Sequence, residues 1–342
     1  MTSHPNFTRR AALTAGAAGL MLALSACAGG GTGTGTGAGA GANAGADPIK
    51  KLSIIVPANP GGGWDQTGRA IQADLQSNKL VSSAQVTNIG GGGGTNGLAK
   101  LATEKDANTL MVMGYVMVGA VETNGAKTRL EDTTPIARLT EEPLVLVVPA
   151  SSKYQSVKDL VDDIKANGKG VAITGGSAGG ADHILAGQIL KTQGIEPDKL
   201  NYIGYSGGGE SLAALLGNKV QAGISGIGEY AEQVKAGKVR ALAVSGKAEV
   251  PALPGVKPLT DQGIDVVLTS WRGVVAPGSI DDAQRTKLTE LVTKLHESET
   301  WKSTLKKNNW DDAFLAGDGF KTFLSEDITK VKTTLTQIGL VK

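Results

Sequence analysis

From residue 52 onward, short continuous apolar runs alternate with stretches whose apolar positions recur at spacings of three and four. The short runs predict buried strands over 52–56, 86–89, 109–114, 144–149, 170–174, 200–205, 220–225, 239–244 and 273–277. The spaced stretches predict helices over 157–166, 281–297 and 320–338, as at Leu288, Leu291, Val292 and Leu295. Strand and helix alternate throughout, the order of parallel α/β sheets rather than of a sandwich.

Four of the strands run straight into glycine clusters that lead into helices. The clusters are Gly61-Gly62-Gly63 followed by Trp64 and Asp65; Gly90 to Gly94 followed by Thr95; Gly175-Gly176-Ser177-Ala178-Gly179-Gly180; and Ser206 with Gly207 to Gly209. Glycine removes side chains from such a turn, so the first N–H groups of the helix can meet an anion at the positive end of the helix dipole. The clusters form two pairs, which predicts two lobes presenting helix N-termini to each other across a cleft. Ligands of open α/β sheets sit beyond the carboxyl ends of the strands, where all four clusters fall. Val274 and Val275 echo Val147 and Val148, as if the chain crossed between lobes near 146 and returned near 272. The expected organisation is lobe 1 over 48–146 and 270–342 and lobe 2 over 147–269, the plan of a hinged receptor.

The 342 residues are too many for one ordinary core. Residues 1–27 add a segment of another kind: Arg9-Arg10, an apolar run over 11–24 too short for a comfortable membrane span, then Leu24-Ser25-Ala26-Cys27. The segment is predicted to be a signal peptide ending in a lipobox, with Cys27 lipidated as the mature N-terminus. The arginine pair also permits twin-arginine export. Cys27 is the only cysteine, which rules out an intramolecular disulfide. Residues 28–47, rich in Gly, Ala and Thr, are a flexible tether. The chain is thus expected outside the cell's cytoplasm, anchored by lipid to the outer face of the cytoplasmic membrane. Removing residues 1–26 takes two of 34 basic residues and none of 32 acidic ones, leaving a neutral body with no basic field for nucleic acid.

Residues 56–69, Val-Pro-Ala-Asn-Pro-Gly-Gly-Gly-Trp-Asp-Gln-Thr-Gly-Arg, resemble the first signature of the receptors of tripartite tricarboxylate transporters, the TctC or Bug family. Asn88 and the glycines through Gly97 resemble the second signature, and Gly176 to Gly179 with His183-Ile184-Leu185-Ala186 the third. Ser225 to Tyr230 and 238–244 follow the family in order and spacing, so the likeness covers nearly all of 50–340. It implies a type II periplasmic-binding-protein fold, two Rossmann-like lobes joined by two crossing strands, with no catalysis and no cofactor. It also implies delivery of a small organic carboxylate to membrane permease subunits, by a protein expected to be a monomer. Ile89 and five glycines stand where most members carry Arg-Pro-Gly-Ala-Gly-Gly, whereas Trp64-Asp65 and Ser225 to Glu229 are closest to the tricarboxylate branch. Citrate therefore stands ahead of dicarboxylates and aromatic acids.

The candidate ligand-binding residues are Gly61, Gly62, Gly63, Trp64, Asp65, Asn88, Gly93, Gly94, Thr95, Tyr115, Ser177, Ala178, Gly179, His183, Tyr205, Ser206, Ser225 and Glu229. Gly61 to Gly63 are expected to give N–H groups to one carboxylate, and Ser177 to Gly179 to another; alternatively these glycines only permit tight turns. Asp65 is either a charge partner of its helix or an acceptor for a ligand hydroxyl, and Glu229 shares that ambiguity. Trp64 is expected half exposed at the cleft, Trp271 there or in hinge packing, and His183 either in the core or on the ligand. Aromatics are only 4% of the chain, which argues against a sugar receptor. Gly92 to Gly97 fit G-x-G-x-x-G, but the next strand ends Met113-Gly114 without an acid for a ribose. Gly204 to Gly208 fit the G-x-S-x-G elbow of a serine hydrolase, which would need His183 or His296 beside Ser206. No Cys/His spacing suits zinc and no acidic loop suits calcium, so no metal is expected.

Overall fold

The computed structural model describes residues 49–342 apart from Gly207, so the predicted signal peptide, Cys27 and the whole tether lie outside the described residues. Two sheets share one strand. The first carries β1 (Lys51–Val56), β2 (Ser83–Asn88), β3 (Thr109–Gly114), β9 (Thr269–Ala276) and β10 (Asp311–Ala316). The second carries β5 (Ala172–Gly175), β6 (Asn201–Gly204), β7 (Ala222–Gly226) and β8 (Val239–Val244). Strand β4 (Thr134–Pro149) belongs to both: residues 134–143 pair with β9 and residues 144–149 with β7 and β8. Register shifts after Pro135, Arg138 and Leu146 break its ladders; such irregularities add twist and let a strand turn from one sheet to the next.

Strands β1 to β3 pair in parallel, as do β5 to β7, as the alternation with helices predicts, but every pairing of β4 and β9, including those of β4 with β8 and β10, is antiparallel. The two long strands run against their neighbours because β4 carries the chain from the first sheet into the second and β9 brings it back, rather than forming crossovers within one sheet. Residues 134–143 of β4 were not predicted: Pro135, Arg138, Glu141, Glu142 and Pro143 interrupt the apolar run. Helix α9 (Glu299–Asn308), which is polar, and the short β10 were likewise unpredicted.

Helix starts divide by position. Helices α4 (Val157–Asn167), α8 (Asp282–Glu297) and α9 are capped by side chains of Ser156, Asp281 and Ser298, which satisfy free N–H groups. By contrast α1 (Gly63–Ser77), α2 (Thr95–Ala102), α5 (Ala181–Thr192) and α7 (Ile227–Lys235) start on Gly62, Gly94, Gly180 and Gly226, with no side-chain cap. Helices α3 (Tyr115–Thr123) and α6 (Gly208–Leu216) follow β3 and β6. The last helix, α10 (Gly317–Gln337), begins with Phe320 and Phe323 against Trp271 of β9. Just beyond its other end Ile338 meets α5, where a Cβ on Gly187 would lie 2.9 Å from its Cδ1. Among the described residues no helix is long and apolar enough to cross a membrane.

Candidate functional site

Side chains alternate along β9, so Ser270 and Arg272 face one side and Trp271 the other. Trp271 donates its indole N–H to Asp327 of α10 at 3.0 Å and packs edge-on against Phe320 and Phe323. It is core packing rather than cleft. Ser270 and Arg272 line a cavity of about 80 Å³ walled by glycine loops of both sheets. Arg272 is only 6% exposed, and its Nη2 donates to Glu142 of β4 in an ion pair. Its Nη1 is buried with no hydrogen-bond partner among the described residues.

Glu142, 1% exposed, also accepts from the Gly228 N–H at the start of α7, 3.2 Å away. Burial pushes its carboxyl up, the charge of Arg272 opposes this, and the nearby Glu229 adds to it; the balance remains raised.

Glu229 stands in the first turn of α7 and joins the two sheets. Its Oε2 accepts from Ser225 Oγ at 2.7 Å, and its Oε1 from the Gly63 N–H at 2.6 Å, the first residue of α1. Asp182, in the first turn of α5, accepts from the Gly176 N–H at 2.5 Å. Burial pushes the Asp182 carboxyl up to about 7, with Glu229 and Glu142 adding to the rise and the Gly176 N–H and Arg272 opposing it.

The chain's own carboxylates therefore hold several loop amides that the sequence assigns to a ligand. Asp65 takes the Gly61 N–H at 2.9 Å, and in the fourth loop Glu210 takes the Ser206 N–H at 3.0 Å. Asp65 does not line the cavity: it also accepts from Arg69 and Asn88, each at 2.9 Å, and so ties the first two loops together. Burial raises its pKa, but Arg69, Asn88 and Gly61 together hold the carboxyl below its usual value. Gly61 has φ +93° and an exposed position, the geometry of a turn.

Gly62, Gly63, Trp64, Gly93, Gly94, Ser177, Ser206, Ser225 and Glu229 line the cavity as expected of binding residues. Trp64 is 8% exposed rather than half exposed, because its ring lies over Gly94, where a Cβ would come within 2.7 Å of it. Asn88, Thr95, Tyr115, Ala178, Gly179, His183 and Tyr205 are not among the lining residues. Asn88 and Thr95 serve loop hydrogen bonds, Ala178 is exposed, and Tyr115 is buried beside Asp327. Gly179 donates to His183 Nδ1 at 3.1 Å, and the His183 ring stacks on Tyr202 at 4.1 Å. Burial lowers the His183 pKa to about 4. The Tyr205 carbonyl accepts from Ser177 Oγ at 3.4 Å.

Sequence reading passed over Arg272, Asp182, Ser270 and Glu142. Strand alternation was the available signal for Arg272: a charged residue next to Trp271 must face away from whatever that tryptophan packs on. Neither histidine is bonded to Ser206; His183 holds the third loop, and His296 pairs with Asp312 at 2.9 Å. Among the described residues no cluster of His, Cys, Asp and Glu could hold a metal ion.

A family model described as a tripartite tricarboxylate transporter family receptor matches residues 69–340. A UPF0065 protein from the TAR-I ttuE-ttuC' intergenic region of Agrobacterium vitis is 31% identical over 250 residues, 72% of this chain and 71% of the relative. Two solved structures from Rhodopseudomonas palustris show the same fold at 20% identity. Rpa4515 with adipate has a TM-score of 0.78, covering 86% of this chain and 99% of its own. MatC with bound malate has a TM-score of 0.74, covering 84% and 99%.

Proposed function

Because the chain belongs to the tripartite tricarboxylate transporter receptor family, whose members are extracytoplasmic solute-binding receptors, we propose that it captures a di- or tricarboxylate for such a transporter. The body works as a hinged pair of lobes, 48–146 with 270–342 against 147–269, closing over the solute. It acts without catalysis, as a monomer held to the outer face of the cytoplasmic membrane by a lipid on Cys27, and passes its solute to the membrane permease subunits.

The observation that carries this reading is Arg272, a buried guanidinium lining the cavity with Nη1 unpartnered. A buried donor without a partner costs about 1–3 kcal/mol, more for a charged group, and a carboxylate oxygen from a solute relieves that cost. Glycine-started helices α1, α5 and α7 around the same cavity add the field of their N-termini. Malate in MatC and adipate in Rpa4515 make dicarboxylates natural probes beside citrate, which the likeness of Trp64-Asp65 to the tricarboxylate branch favours.

A thermal-shift screen of citrate, tricarballylate, malate, succinate, adipate, glutamate and terephthalate tests the reading. The solute should stabilise the protein by about 2.7 kcal/mol at 100 times its dissociation constant. Stabilisation by a sugar or a cation and by none of these acids would sink it.

A further inference from the structure

Glu229 holds the place where a solute carboxylate would be best received. An added Cβ on Gly63 would lie 2.6 Å from Arg272 Nη2 and 2.8 Å from Glu229 Oε1, so helix N-terminus, guanidinium and carboxylate converge within the reach of one side chain. The Gly63 N–H already donates to Glu229. We propose that Glu229 is a resident carboxylate occupying the solute's own anion seat, at the Gly63 N–H beside the Arg272 guanidinium, and that a solute binds by displacing it.

The two acids beside Arg272 differ in how firmly they are held. Glu142 is 1% exposed and fixed by both Arg272 and Gly228. Glu229 is only partly buried, on a flexible side chain. Moreover, it fills the seat incompletely: one oxygen serves Gly63, the other is drawn aside by Ser225, and Arg272 pairs with Glu142 rather than with Glu229. A solute carboxylate has no tether to Ser225, so one oxygen can take the Gly63 N–H while the other takes the guanidinium. In the solute-free protein Glu229 then bridges α1 of one sheet to α7 of the other, holding the cleft closed. Solute affinity is set by the difference between two carboxylates competing for one seat. A neutral solute has no means of displacing Glu229, which makes this residue a determinant of specificity for anions.

This inference rests on the carboxylate reading above, and its test separates the two. Malate, succinate, adipate and citrate are titrated calorimetrically into the full-length protein and into Glu229→Gln. The glutamine keeps the shape and an acceptor for Gly63 but gives up the charge. Whichever acid binds the parent should bind the variant at least tenfold more tightly, and an acid too weak to register with the parent should become measurable. Equal or weaker binding by a folded variant, with the parent still binding, overturns the displacement mechanism and leaves the carboxylate reading standing. Binding of none of the four acids by either protein overturns both. Should Glu229→Gln fail to fold, Ser225→Ala frees the second oxygen and loosens Glu229; it should tighten binding severalfold, and unchanged or weakened binding overturns the proposal.

Discussion

Arg272 and Glu142 face each other from the paired strands β9 and β4, and each is less than one tenth exposed. Removing one member of such a pair leaves a buried charge unopposed and typically costs about 3–5 kcal/mol, whereas replacing both costs far less. Arg272→Met should therefore lower unfolding free energy by about that amount in urea titrations. Adding Glu142→Gln should recover most of the loss, while calorimetry should find that carboxylate binding stays lost in the double variant. Recovery of binding together with stability would show that the arginine only neutralises Glu142. Stability and binding thus separate at one residue, because the guanidinium both pairs with Glu142 and lines the cavity.

At the level of elements, much was legible in the sequence. β1, β3, β8 and α8 lie within a residue or so of their predicted bounds, because continuous apolar runs and helical spacing report burial directly. The four strand-to-glycine-to-helix units were legible for the same reason. What escaped was the first half of β4, whose prolines sit at the register break after Pro135 and where the strand leaves β9 at Pro143, and the site's acidic side chains. Sequence shows that a helix starts on glycine; it does not show which distant carboxylate arrives there, as Glu229 does at Gly63, 166 positions away. Gly63 allows a direct check. A methyl group on it would press on the far ends of Arg272 and Glu229 rather than on backbone. Gly63→Ala should lower the melting temperature, because the buried guanidinium held by Glu142 must give way, and the folded variant should bind carboxylates at least tenfold more weakly, about 1.4 kcal/mol. Loss of folding with normal residual affinity would assign Gly63 to packing alone.

For the whole molecule, two adjacent residues give opposite dependences on pH. The Asp182 carboxyl moves from 3.8 to about 7 on folding, so its contribution is full below about pH 4 and is lost as pH rises towards 7. The His183 imidazole moves from 6.5 to about 4, so its contribution is present above about pH 6.5 and is lost as pH falls towards 4. Between about pH 4 and 6.5 the two slopes cancel. His183→Asn removes one of them, and its stability relative to the parent should rise by about 1.4 kcal/mol for each pH unit of acidification across that window. Denaturant titrations at pH 6.5, 5.5 and 4.5 measure it, and a constant difference would mean that His183 stays protonated in the fold.

The course of α10 bears on how such a body would swing. Its 21 residues span about 30 Å, from Phe320 beside β9 to Ile338 seated against Gly187 of α5. A rod fixed at one end near the pivot and resting at the other on the moving part acts as a stay. In the proposed opening its far end must slide or bend, and a bent rod pushes back. On that proposal, part of the force shutting the cleft would be elastic and present before any solute arrives, and the gap the permease meets would be governed by a helix that touches no solute.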